Sequence, residues 1–177
     1  MFITEERQRH VRFTRPIWAV PDGLIVRSVD ADRFTSYSDL AADPAARLGV
    51  VVGQVQGDSA RQAGMPDRRM VLFATQHEAV QAVRHGEVDA AASTAIGNRA
   101  LLARRHDANL AAVDLRPQGN GANKSVPVGA FSLSHTQQTL ANMIDIQLEA
   151  FLGSQQHHSI MTRHGFASGE IGAILAA

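Results

Sequence analysis

The chain of 177 residues contains no cysteine, which removes disulfides, thiolate nucleophiles and Cys-based zinc or iron–sulfur sites from consideration. Lysine is almost missing too: Lys124 stands alone, and the remaining basic residues are arginines. Together with abundant alanine, that bias reads as GC-rich coding rather than as a guanidinium surface built for a purpose. Charge of one sign is not in excess, since 17 Lys plus Arg balance 17 Asp plus Glu. A dedicated nucleic-acid binder would show a clustered basic surplus, so no nucleic-acid partner is expected. No apolar run approaches the roughly twenty residues that a membrane helix needs. The opening MFITEERQRH is polar and charged from Thr4 onward and lacks the apolar stretch of a signal peptide. Fingerprints of common chemistries are missing as well: there is no GxGxxG, P-loop, GxSxG or HExxH.

What remains is ordinary globular material, 45% apolar and 19% charged, long enough for one or two domains with a core. Short apolar, β-branched segments predict strands at Gly23–Arg27, Leu48–Gly53, Met70–Ala74, Val88–Ala92, Leu110–Leu115 and Val126–Leu133. Helix signals lie between them. One short helix starts at Ser38-Asp39-Leu40, and another, capped by Asp58 or Ser59, stops at Gly64. Thr75 caps a helix that ends at Gly86, with Ala79, Val80 and Val83 on one face. Further helices run from about Ala95 to His106 and from Thr136 to Phe151, and a last one from Gly153 to Gly165. In the longest, Leu140, Met143, Ile144, Leu148 and Phe151 share one predicted apolar face. The alternation implies an α/β fold with a mostly parallel sheet. The Gly- and Asn-rich stretch Pro117–Ser125 reads as a linker, and Trp18–Gly23 as a second crossing segment.

The eight histidines are numerous for this length, and His157 and His164 fall two helical turns apart. No third ligand accompanies them, so solvated helix histidines are expected rather than a metal site. Asp89, at the start of an apolar run, reads as a turn or cap residue because no second carboxylate pairs with it at a fixed offset. More informative is VVVGQVQGDS, a strand followed by glycine, a short polar stretch and a helix start. Such turns let the backbone approach an anionic group, though a plain tight turn explains the pattern equally well. At the N-terminus Thr4 caps a helix start with Arg7 one turn in. From local physics alone, Arg7 is an exposed arginine pairing with a neighbour.

In combination these segments resemble the family-3 periplasmic solute-binding proteins, the polar amino-acid receptors of ABC importers. ITEERQRHVRFTRPIW is similar to the family's Ile-Thr-x-x-Arg…Phe-(Ser/Thr)-x-Pro-aromatic segment, and Asp39-Leu40 to its DL. RLGVVVGQVQGDSARQAGMP and HEAVQAVRHGEVDAAASTA resemble its glycine loop with helix and its G-x-(V/I)-DA stretch. GAFSLSHTQQTLANMIDIQLEAFLGSQQHHSIMTRHGF resembles its C-terminal return. The likeness runs from about Ile3 to Phe166, in the family's order.

The resemblance implies the type II periplasmic-binding-protein fold, holding all of lobe 2 and part of lobe 1. The expected layout is a lobe-1 remnant and first crossing over 1–22, lobe 2 over 23–118, and a second crossing with C-terminal lobe-1 helices over 119–177. Met1 corresponds to an internal methionine of the family, so much of lobe 1 is expected to be missing. The implied function is binding of a small zwitterionic amino acid or compatible solute by hinge closure, read by an ABC permease, with no cofactor and no catalysis. A periplasmic or extracellular location follows for the full-length form. Carried over residue by residue, Arg7 clamps a ligand carboxylate, and Gly53, Gln54 and Val55 complete its hydrogen bonds. Val55 replaces a usual Thr or Ser, Thr94 replaces an Asp set against the α-ammonium, and Phe2 stands where a small hydroxyl residue is common. These departures lean toward an ectoine-like solute. Two alternatives remain open: a dehydratase on the same fold, and a remnant that binds nothing. The exposed helix face left by the missing lobe-1 segment implies a homodimer or a domain-exchanged pair.

Overall fold

The computed structural model describes residues 1–105, 107–116 and 126–175. Met1–Val20 with Val126–Ala177 form one compact unit, and Pro21–Ser125 another. In chain order the first unit opens with α1 (Glu5–Gln8), β1 (Arg12–Phe13) and β2 (Trp18–Ala19). The second follows with β3 (Asp22–Arg27), α2 (Tyr37–Ala42), β4 (Leu48–Val51), α3 (Gln56–Gln62) and β5 (Met70–Phe73). It continues through α4 (Gln76–Arg84), β6 (Ala90–Thr94), α5 (Ala95–Arg105) and β7 (Leu110–Asp114). The first unit then resumes with β8 (Val128–Gly129), β9 (Ser132–Leu133), α6 (Gln138–Phe151), α7 (Gln155–Arg163) and α8 (Ser168–Leu175). The Pro117–Ser125 linker lies outside the described residues, as does His106 at the expected end of α5.

The second unit is a five-stranded sheet in the order β5-β4-β6-β3-β7. Its strands alternate apolar side chains to both faces, so each face needs cover. Leu24 and Val26 point to one side and pack with Phe34, Tyr37, Leu40, Leu48, Val50 and Met65. Ile25 points to the other and packs with Val80 and Val83 of α4, together with Ala91 and Leu110. The expected helix after Thr75 is present, closed by a capping box in which Thr75 and Glu78 each accept the other's backbone N–H. Gly86 takes the left-handed turn that ends it, at φ +73°. Arg69 closes α2 from outside, its guanidinium donating to the carbonyls of Leu40, Ala41, Asp43 and Ala46.

The sheet is mixed, which corrects the mostly parallel sheet expected from sequence. β4 pairs in parallel with β5 and β6, whereas β3 pairs antiparallel with both β6 and β7. Strand–helix alternation tells that crossovers exist, but not that the unit's first strand slots in reverse between two later ones. Boundaries moved too: α3 starts at Gln56 rather than at a cap of Asp58 or Ser59.

In the first unit, the region read as one strand forms two short ones, β8 and β9, that pair antiparallel with β2 and β1. Phe2 bridges to Gly129 and sets its ring edge-on to Trp18 at 4.6 Å. Gly129 is required there, because a Cβ would stand 2.0 Å from the Trp18 ring. Helix α8 lies beyond the last helix read from sequence.

On α6, Leu140 and Met143 of the predicted apolar stripe are exposed, in line with the expected uncovered face, and Ile146 outside the stripe is exposed too, while Ala141 and Leu148 are buried. One expectation in this unit is overturned. His157 is buried rather than solvated. Its Nδ1 accepts from the Gly153 N–H at 3.2 Å, and its ring stands edge-on to Phe151 and His158.

Candidate functional site

Four of the six residues singled out from sequence gather at one end of the five-stranded sheet. Because β4 and β6 run in parallel, the chain after Val51 and the end of β6 emerge together. Gly53, at φ +77°, turns the chain, leaving Gly53 and Gln54 exposed and Val55 half-buried before α3 begins. Gln54 donates its N–H to Val51 O at 3.2 Å, which tightens the loop. Thr94 is half-buried at the end of β6, where its hydroxyl accepts the Gly97 N–H at 3.1 Å and so closes the first turn of α5.

Arg7 and Phe2 belong to the other unit and are brought together there. Thr4 caps α1 as expected, accepting the Arg7 N–H at 3.2 Å. The Arg7 guanidinium donates to Phe2 O at 3.1 Å. Arg7 and Phe2 are both half-buried, and the Phe2 ring is partnered by Trp18.

Asp89, read as a turn or cap residue, is held by charge and backbone. Its carboxylate pairs with Arg27 at 2.9 Å and accepts the Arg47 N–H at 2.8 Å.

Sequence reasoning missed a buried polar group at the same sheet end. Asp22, first residue of β3, sits directly across the ladder from Thr94 and is only 7% exposed. One carboxylate oxygen accepts from Gln56 Nε2 at 2.8 Å and the other from the Tyr37 hydroxyl at 3.1 Å. Burial pushes the Asp22 carboxyl up, opposed by hydrogen bonds from Gln56, Ser59 and Tyr37. Burial, with the neighbouring Asp22 charge, pushes the Tyr37 hydroxyl well above its ordinary range. The signal was present as an acid placed directly before the buried run GLIV, but Trp18–Gly23 read as a crossing segment.

Among the described residues, no group of three or more His, Cys, Asp or Glu is arranged to hold a metal ion.

No protein-family model matches the chain. In sequence it is 24% identical over 174 residues to a "probable amino-acid ABC transporter periplasmic-binding protein" of Sinorhizobium fredii, covering 98% of this chain. The chain spans 57% of that relative's length. Among solved structures, EhuB in complex with hydroxyectoine superposes with a TM-score of 0.81 at 19% identity, over 99% of this chain and 65% of that one. An ancestral amino-acid-binding protein, described as a precursor of cyclohexadienyl dehydratase, gives 0.73 at 21% identity over 92% and 65%. The GluR0 ligand-binding core with L-glutamate gives 0.77 at 18% identity over 92% and 68%. The chain carries the type II periplasmic-binding-protein fold and is similar in sequence to a probable amino-acid ABC transporter periplasmic-binding protein.

Proposed function

We propose that this chain is a solute-binding component of an ABC importer that takes a small zwitterionic amino acid or compatible solute without transforming it. The observation that carries this reading is the sequence relationship to an amino-acid ABC transporter periplasmic-binding protein over 98% of the chain. Arg7 and Phe2, with Gly53, Gln54, Val55 and Thr94, are the ligand contacts we assign, Arg7 clamping the carboxylate bidentately. Residues 23–118 act as lobe 2, and the flanking segments act as the lobe-1 portion. A membrane permease is the partner, the periplasm or cell exterior the location, and a second copy of the chain the cover for the exposed face of α6.

Native mass spectrometry of the purified chain, alone and with L-arginine, L-glutamate and hydroxyectoine, tests the reading. Retention of one such solute, abolished by Arg7→Ala in a chain that still folds, supports it. Uptake of none, or affinity unchanged by Arg7→Ala, sinks the binding reading or the site assignment respectively. Conversion of an added solute would favour a dehydratase instead.

A further inference from the structure

The buried carboxylate of Asp22 is not used by any contact assigned above, and its surroundings are unlike those of the unit's ion-paired aspartates. Asp30 and Asp89 both pair with Arg27, Asp107 with Arg84 and Asp114 with Arg99. Asp22 is more buried than any of them, yet among the described residues no arginine or lysine lies within ion-pair distance of it. Its hydrogen-bond partners are the neutral groups of Tyr37 on α2 and Gln56 on α3. Neutral donors offset only part of the cost of desolvating a carboxylate, and a cation offsets far more.

A second observation concerns Gln56. This residue is 1% exposed, and while its Nε2 donates to Asp22, its Oε1 is buried with no hydrogen-bond partner among the described residues. An orphaned amide oxygen beside a carboxylate makes two adjacent acceptors that call for N–H donors. The position matches as well: Asp22 lies opposite Thr94 at the end of the sheet where the glycine loop also emerges.

We propose that Asp22 is the anionic contact for a cationic group of the bound solute (an ammonium, guanidinium or amidinium), with Gln56 and Thr94 as neutral acceptors beside it. This rests on the solute-binding reading above. It moves the negative charge one strand over from the position the sequence resemblance singled out, and it makes a cationic centre a requirement for the ligand.

The test is calorimetric titration of the full chain with L-arginine and hydroxyectoine as probes. Asp22→Asn is expected to fold, because its new amide N–H can donate to Gln56 Oε1 while its oxygen keeps the Tyr37 hydroxyl. It should bind the probe at least about tenfold more weakly, as loss of a charge-assisted contact does. Adding Thr94→Asp to Asp22→Asn returns a carboxylate to the neighbouring strand and should recover most of that loss, which a merely structural role would not do. Should Asp22→Asn fail to fold, Thr94→Asp alone must tighten binding by placing a second carboxylate near the cation. Wild-type affinity in folded Asp22→Asn, no rescue in the double variant, or no tightening in Thr94→Asp alone overturns the proposal and leaves the binding reading standing. A wild-type chain that takes up neither probe overturns both.

Discussion

The Gln56 side chain donates to Asp22 across 2.8 Å, tying the first residue of α3 to the first residue of β3. This bond connects the helix that follows the glycine loop to the strand facing Thr94. The stability of that corner therefore depends on the ionisation of one buried carboxyl.

The sign of that dependence follows from the raised Asp22 pKa. Folding favours the neutral form more than the unfolded chain does, so this contribution is full below the ordinary value of 3.8 and is lost as pH rises through the higher folded value. Asp22→Asn, which cannot ionise, should melt at an equal or higher temperature than wild type at pH 7. The gap should shrink toward pH 4. Thermal melts followed by circular dichroism from pH 4 to 7 check this, and a lower melting temperature for the variant at pH 7 would contradict it.

Arg69 is a structural clamp whose loss should register in the second unit. Arg69→Ala removes a charged donor set from the carbonyls of Leu40, Ala41, Asp43 and Ala46 around the end of α2. The expected cost is about 2–3 kcal/mol, for hydrogen bonds to a charged group at a half-buried site. Urea denaturation measures it, and Arg69→Lys, with a single ammonium, should fall between the two.

His157 makes the first unit acid-sensitive. Burial, with a smaller contribution from His158, pushes its pKa below the ordinary 6.5, so the neutral ring is the folded form. That stability is present above pH 6.5 and is lost as pH falls below it toward the folded value. Protonation at Nδ1 would also remove the acceptor for the Gly153 N–H. An NMR titration of the His157 ring should give a midpoint below 6.5, and His157→Gln should flatten the loss of stability on acidification.

The exposed side chains of Leu140, Met143 and Ile146 on α6 predict self-association of the chain. Analytical ultracentrifugation at micromolar concentration should show a dimer, and Met143→Asp with Ile146→Asp should shift it to monomer. A monomeric wild type at that concentration would remove the second copy from the proposed function.

Local patterns were enough to read much of this molecule. The Thr75 cap, the apolar spacing of Ala79, Val80 and Val83 and the stop at Gly86 together specify α4, because a helix of that length is written in its own few turns. The glycine loop after Leu48–Val51 and the Thr4 cap before Arg7 were legible for the same reason. Tertiary structure alone decided the reversed β3 and the buried Asp22 and His157. Each of these depends on partners far along the chain, as when Asp22 meets Thr94 across the ladder. Periods of 2 and 3.6 residues report which side of an element is apolar, whereas strand direction and the burial of a single polar group are set by what the rest of the chain packs against them.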